Sequence, residues 1–381
     1  MLDWPGDGIA GVTPSVTRAA VLAHRFAAQQ LHRPSPGLPA HELAVAGLGI
    51  PDVPAPAAVT AVAVRGGAVR GGTPGDGLVL VWGARGAPAL HRRAELPWLA
   101  GALWPLSDAD AAARIGTSRT RAAAALGLGA FTAVAHAVRE VLAGGEPVSK
   151  AELSRGVTER VPDALSIDCA PCGARHVSGG LLQQAGLVGG AEVLRGGRAA
   201  RYRLLPGLAV PTAAAGTPEL LRRYLALLGP ARPADVAAHL GTSVSEARRA
   251  WPGDLVEVSV DGRSAWSPAE DAEALGAAAP PATLRLLPAG DPWLVARDRG
   301  LVLPDRARHR DVWKPVAPPG VVLLRGEVAG TWRAAVTGRR LDVTVTPFAA
   351  LPATAWRLAE HEAGLVAAAR GVADVRLVRP S

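Results

Sequence analysis

The 381 residues, 49% hydrophobic and 19% charged, suffice for about two to four units of ordinary size. A net charge of +8 and a pI near 10.7 favour a polyanionic partner. Almost all the positive charge is arginine. With Lys150 and Lys314 as the only lysines, a lyase acting through a lysine Schiff base is disfavoured.

The opening MLDWPGDGIAG has neither a basic start nor an apolar stretch, so residues 1–12 read as a loose lead-in, not a signal peptide. No apolar run approaches the ~20 residues of a membrane span, and a soluble, cytoplasmic protein is expected. Thr13-Pro14 predicts a helix start, with Val16, Ala19, Ala20, Ala23, Ala27 and Leu31 on one face. After Pro34, Pro36 and Pro39 a short helix is predicted over 40–46. The next segment, GLGIPDVPAPAA at 47–58, contains one acid, Asp52, ahead of an apolar helix at 57–64. An isolated carboxylate in such surroundings is a candidate for chemistry; a helix or turn cap is its plainer role.

Residues 79–93, VLVWGARGAPALHRR, read as a strand with a glycine-rich turn, ending in His91, Arg92 and Arg93. A short helix and a capped turn follow over 96–115, then a long helix from Arg119 to Leu142. Residues 147–161 read as two helices, with Ser149 and Glu152 at capping-box spacing. Cys169 and Cys172, the only two cysteines, fit a reducing compartment without a disulfide framework. With His176 they offer three metal ligands. Structural zinc takes four and no fourth is evident nearby, so no metal is assigned. A helix from Ser178 and a strand pair around Gly196-Gly197 come next.

The clearest module is 217–268. Leu220, Leu221, Tyr224, Leu225 and Leu228 form one stripe, Pro230 to Pro233 break it, and a second helix ends at Gly241. Ser243 and Glu246 cap a third helix carrying Arg248 and Arg249, and Asp261-Gly262 turns a hairpin. Three helices and a hairpin are the winged-helix order, which serves DNA contacts and protein contacts alike.

Leu284 to Arg333 is a basic stretch with Arg297, Arg299, Arg306, Arg308, His309, Arg310, Lys314, Arg325 and Arg333. Trp293, Trp313 and Trp332 are interleaved, and Asp291, Asp298, Asp305, Asp311 and Glu327 dilute the charge. Read as strand and turn, with a hairpin over 297–314, it suits nucleic acid: arginine meets phosphate and flat groups meet bases. A solvated sheet edge is the alternative. Thr337-Gly338 predicts a turn before a strand in which Leu341, Val343 and Val345 alternate; a helix over 352–370 and a last strand follow. Helix–helix–wing patterns thus recur about three times without a fixed period. The predicted class is α+β, with tandem winged-helix units at 1–112, 113–212 and 213–280, and a β-rich DNA-contacting region at 281–381.

Several segments, in order along the chain, resemble the AlkZ/YcaQ-type winged-helix DNA glycosylases. They are HRFAAQQL (24–31), RGAPALHRRAELP (85–97), WPLSDADA (104–111), CAPCGARHVSGGLL (169–182), DPWLVARDRGLVLPDRARHRDVWKP (291–315) and GEVAGTWR (326–333). The resemblance implies tandem winged helices forming a C-shaped basic cleft, closed by the C-terminal β-rich region. It implies removal of alkylated purines from duplex DNA. Some members sit beside biosynthesis genes for DNA-alkylating natural products, where they excise bulky guanine adducts or unhook crosslinks as self-resistance. The family motif is Gln-x-Gln or Gln-x-Asp, with a Gly-aliphatic-Gln-Asp version in a subgroup. Here it reads Gly49-Ile50-Pro51-Asp52, so Pro51 replaces the glutamine and Asp52 alone matches. Catalysis is then expected to rest on Asp52. His91, Arg92 and Arg93 are expected to line the DNA cleft, together with Arg297, Arg299, Arg306, Arg308, His309, Arg310, Lys314 and Arg333. The expected partner is double-stranded DNA containing alkylated purines, met by a monomer without metal, cofactor or membrane. A winged-helix DNA-binding protein or regulator that lost its chemistry with Pro51 is the alternative.

Overall fold

A computed structural model describes residues 13–69, 73, 75–196 and 199–379; the lead-in at 1–12 and Gly197 lie outside them. Thr13-Pro14 does not open a helix. Ser15–Val16 form a short strand, β1, because Pro14 and Val16 carbonyls accept from the backbone of Ser259 and Asp261. Helix α1 (Arg18–Ala28) starts at Thr17, whose hydroxyl accepts from the Ala20 amide at 3.2 Å. The later start turns the buried face: Ala19 and Ala27 are exposed, while Val21, Leu22 and Phe26 enter the core. The helix predicted at 40–46 is two 3-10 turns.

Strand β2 (Ile50–Pro51) pairs with the hairpin β3 (Leu78–Trp82) and β4 (Pro88–Arg92), and helix α2 (Ala57–Val64) follows β2 with the predicted bounds. Helices α3 (Leu96–Leu103) and α4 (Asp108–Ile115) come next, the latter capped by Ser107. The long helix predicted to Leu142 is two, α5 (Arg121–Ala125) and α6 (Leu128–Leu142). Gly127 breaks it at φ 53°, and the Asp108 carboxylate accepts from the Leu128 amide at 2.8 Å.

After β5 (Val148–Ser149), residues 147–161 hold one helix, α7 (Lys150–Thr158), with the capping box in place. A separate hairpin, β6 (Ser166–Cys169) and β7 (Ala174–Val177), leads into α8 (Gly179–Gly186), and then β8 (Ala191–Leu194) and β9 (Arg201–Leu204) form. The sheet order is β2-β4-β3-β8-β9-β5, and Val81 of β3 pairs with Glu192 of β8, so hydrogen bonding runs across residue 112. Gly186 lets α8 close on Trp82, where any β-carbon would collide with the indole.

The 217–268 module follows its predicted order: α9 (Thr217–Leu228), α10 (Pro233–Leu240), α11 (Val244–Arg249) and the hairpin β10 (Leu255–Val260) with β11 (Arg263–Pro268). Its whole leucine–tyrosine stripe is buried. β1 joins β10 in parallel, and α12 (Asp271–Ala277) ends the segment.

Beyond β12 (Leu284–Leu287), the predicted 297–314 hairpin is absent. The chain forms single turns instead: α13 (Pro292–Val295), α14 (Arg299–Val302), a 3-10 turn at Arg306–Arg308, and α15 (His309–Val312). Three aspartates, Asp291, Asp298 and Asp305, each precede such a turn. The Asp291 and Asp305 carboxylates accept from the amides two residues on, at 2.9 Å. Strands β13 (Gly320–Leu324), β14 (Glu327–Thr337) and β15 (Arg340–Pro347), helix α16 (Ala353–Ala369) and β16 (Asp374–Val378) complete a sheet of order β12-β13-β14-β15-β16.

Ion pairs, some of them buried, fasten the first 65 residues to this region. Arg65 meets Asp291 at 2.8 and 2.9 Å with both side chains fully buried, and also donates to Gln29. Arg25 meets Asp298 at 2.6 Å, Arg18 meets Glu327 at 2.6 Å and Arg33 meets Glu362 at 2.6 Å. Three of the five acids that dilute the basic stretch, Asp291, Asp298 and Glu327, are therefore paired with arginines from elsewhere.

Candidate functional site

The Asp52 amide donates to the Pro88 carbonyl at 2.9 Å, carrying strand pairing one residue past β2. Its carboxylate then accepts from the Ala58 amide at 3.1 Å, in the first turn of α2, where the helix dipole favours an anion. The other oxygen lies 3.3 Å from Arg195 Nε, and Arg195 also donates to the Asp52 backbone carbonyl at 2.9 Å. Asp52 is thus both a helix cap and an ion-paired carboxylate. Its side chain is 10% exposed, Arg195 is 43% exposed and Val53 is 48% exposed, so the carboxylate lies one side chain beneath the surface. The sequence reading missed Arg195. It follows β8, 143 residues away, and nothing in VLRGG marks it.

The His91-Arg92-Arg93 triplet divides. His91 is buried opposite Gly49, whose φ of 99° and missing β-carbon leave room for the ring. On its other side a β-carbon on Gly83 would sit 2.7 Å from Nε2, which has no hydrogen-bond partner. Burial lowers the His91 pKa to about 4. Arg92 turns inward, donating to the His41 carbonyl at 2.7 Å, the Leu43 carbonyl at 3.3 Å and Glu95 at 3.1 Å. Arg93 alone is exposed, 3.9 Å from Glu192, over a depression of about 460 Å³ shared with Arg203.

Four residues of the basic stretch converge. Arg297, Arg299, Arg306 and His309 line a cleft of about 440 Å³ with Arg232 and Arg263 of the preceding module. The acids there, Asp235 and Asp298, are already paired with Arg232 at 2.9 Å and Arg25 at 2.6 Å. Among the described residues Arg263, Arg297, Arg299 and Arg306 form no ion pair. Arg297 Nε is buried without a hydrogen-bond partner, and burial, then Arg85 nearby, holds that guanidinium below its ordinary pKa. Arg299 stacks on Trp313 at 4.9 Å, and His309 meets the same ring edge-on at 5.1 Å. Crowded cations without counter-charges, Arg297 part-buried and Arg263, Arg299 and Arg306 exposed, favour an entering anion. The other candidates lie outside the lining: Arg308 lies over Phe348 at 4.8 Å between Asp305 and Asp311, Arg333 donates to the Ala317 carbonyl at 2.8 Å, and Arg310 and Lys314 are exposed. The loop entering this stretch abuts the Asp52 loop, since a β-carbon on Gly290 would collide with the Val53 carbonyl.

A sequence model described as DNA glycosylase AlkZ-like matches residues 52–373. The chain belongs to this family. An interstrand DNA cross-link repair glycosylase from Streptomyces sahachiroi is 33% identical over 174 residues, 42% of this chain and 45% of that protein. The aligned part thus spans under half of that relative. The solved structure of Streptomyces sahachiroi DNA glycosylase AlkZ superposes with a TM-score of 0.71 at 23% identity, covering 96% of this chain and 100% of that one. This AlkZ-like chain therefore shares the mixed α+β fold of that structure. AlkZ-like proteins are named as DNA glycosylases, hydrolases of N-glycosyl bonds. No described helix here is long and apolar enough to cross a membrane. Within the AlkZ-like frame, Pro51 stands in β2 with its backbone paired to Ala89, where it offers no amide side chain to a substrate.

Proposed function

We propose that this chain is a monofunctional DNA glycosylase that hydrolyses the N-glycosidic bond of N7-alkylated guanine in duplex DNA. Bulky natural-product adducts or crosslinks are its proposed substrates, removed as self-resistance in the cytoplasm by a monomer. Three winged-helix units form a C-shaped cleft and residues 281–381 grip the duplex. The observation that carries this reading is membership of the AlkZ-like family over residues 52–373. The name of the Streptomyces sahachiroi relative, which specifies cross-link repair, supports the substrate class.

The chemistry follows from the adduct. Alkylation at N7 leaves guanine cationic, so it departs as a neutral purine with little acid assistance. Positive charge then builds on the deoxyribose, and a carboxylate near the sugar stabilises it and takes a proton from attacking water. Asp52 fills that role. Its helix cap and its Arg195 pair fix its position.

The test is alkaline cleavage of a duplex carrying one N7-alkylguanine. The wild-type chain should leave abasic sites, and Asp52→Asn should slow excision by about 100-fold or more, the usual cost of an electrostatic stabiliser. A wild-type rate in Asp52→Asn would remove Asp52 from its role. The loss of the motif amide at Pro51 favours a second reading, a DNA-binding protein without catalysis. Retarded DNA with no strand loss would establish it.

A further inference from the structure

Cys169, Cys172 and His176 take no part in either the Asp52 contacts or the arginine cleft. They sit on the β6–β7 hairpin, which pairs Ile167 with His176 and Cys169 with Ala174. Facing residues share a side and sides alternate along a strand. Cys169 and His176 are therefore diagonal neighbours on one face, with Asp168 and Arg175 on the other. The connection, a 3-10 turn over Ala170–Cys172 closed by Gly173 at φ 60°, folds Cys172 back toward them. One ligating atom from each of the three lies within 4.8 Å of the other two. Zinc–sulfur and zinc–nitrogen bonds of ~2.3 and ~2.0 Å set ligand atoms ~3.5–3.8 Å apart in a tetrahedron, so closure needs a contraction of only ~1 Å.

Two further observations point to an ion. His176 Nδ1 lies 2.7 Å from the Val177 carbonyl oxygen; as the N–H donor there it leaves the Nε2 lone pair free, the usual arrangement of a metal-binding imidazole. The hairpin tip also has no core of its own. From Asp168 to Arg175 every residue is exposed except half-buried Cys169, and a two-stranded hairpin is marginal without packing. A metal would supply the missing cross-link.

We infer that Cys169, Cys172 and His176 bind one zinc ion, or a similar thiophilic divalent metal, with the fourth position open to water or an exogenous donor. Two cysteines and a histidine with water in the fourth position are a ligand set that catalytic zinc takes, so an ion can be held without the fourth protein ligand of a closed structural site. On binding, two thiol protons pass to solvent. Two thiolates and a neutral imidazole then balance the dication, and affinity rises with pH.

The test uses the full chain, reduced and freed of metal, titrated with cobalt(II). It should take up one cobalt per chain with thiolate-to-cobalt charge-transfer absorption, and one equivalent of zinc should bleach it. Zinc should also shield both thiols from maleimide, and a chelator should restore labelling. Cys172→Ser, at an exposed position, should abolish the absorption while circular dichroism stays unchanged. Reduced protein that takes up no cobalt overturns the inference, as does unaltered uptake in Cys172→Ser. So does shielding that a reductant alone removes, which would make the pair a disulfide.

Discussion

Arg195 holds Asp52 twice, at the carboxylate and at the backbone carbonyl. With Arg195 43% exposed, the ion pair adds about 1 kcal/mol of stability at most. Its larger effect is on position. Arg195→Ala should slow single-turnover excision by roughly tenfold with little change in melting temperature, since ~1 Å of displacement at a reacting group costs far more than a surface pair. Arg195→Lys, which keeps the charge but loses the fork, should recover only part of the rate; full recovery would reduce Arg195 to a source of charge. Two buried imidazoles act on stability instead. Burial lowers His91 to about 4 and His239 to about 3, and both ring nitrogens of His239 are buried without a partner. Both pKa values fall below the unfolded 6.5, so each contributes stability present above pH 6.5 and lost as pH falls toward 4 and 3. The losses are on the order of 3 kcal/mol for His91 and about 5 kcal/mol for His239. Asp271, raised to about 6 by burial, opposes this trend below pH 6. His239→Phe, which keeps the ring beside Tyr224 at 4.7 Å, should flatten the fall in melting temperature between pH 6.5 and 5; an unchanged slope would show that His239 is not its source.

Among the elements, what was legible was local. Helix α2 and the 217–268 module carry their caps, stripes and turn residues within the segment. Asp52, standing alone before α2, could be read as a cap and as a carboxylate worth suspecting, and it is the first of these while offering the second. Ser15 and Val16 deceived because the strand that captures them lies 244 residues on, beyond the reach of any helical period. The 297–314 stretch deceived differently. Alternating basic and flat side chains suggest a strand, but aspartates at 291, 298 and 305 precede successive turns, and the first and last of them cap theirs. This geometry sorts the arginines. Arg299 and Arg306 face the cleft without acidic partners, whereas Arg308 lies on Phe348 between two aspartates. Each arginine that meets a phosphate adds about one unit to the salt slope of binding. Alanine at Arg299 and Arg306 together should lower the slope on an undamaged duplex by about two, and Arg308→Ala should leave it unchanged. Anisotropy titrations from low to moderate salt measure both; equal slopes in the two variants would dissolve the distinction.

Across the whole molecule, the ends of the chain depend on each other. Arg18, Arg25, Arg33 and Arg65 each clasp an acid between 291 and 362, β1 joins β10, and the six-stranded sheet crosses residue 112. None of these ties has a local signature, so units drawn from the sequence appear more independent than hydrogen bonding makes them. The strongest tie is Arg65–Asp291, bidentate and fully buried. Removing one partner strands a charge in the interior, at about 3–5 kcal/mol. Arg65→Met should therefore lower the melting temperature of one cooperative transition, and adding Asp291→Asn should restore most of it by neutralising the orphan. Calorimetry in which residues 281–381 melt separately at the wild-type temperature would refute this coupling. The same tie reaches the proposed chemistry. Arg65 ends the helix that Asp52 begins, and Asp291 opens the stretch that carries Arg297, Arg299 and Arg306 to the cleft. Well below its melting temperature, Arg65→Met should still excise more slowly than wild type, because the carboxylate and the cleft arginines lose the joint that sets their spacing. A wild-type rate in that variant would mean that the Asp52 loop and the arginine cleft hold their relation without it.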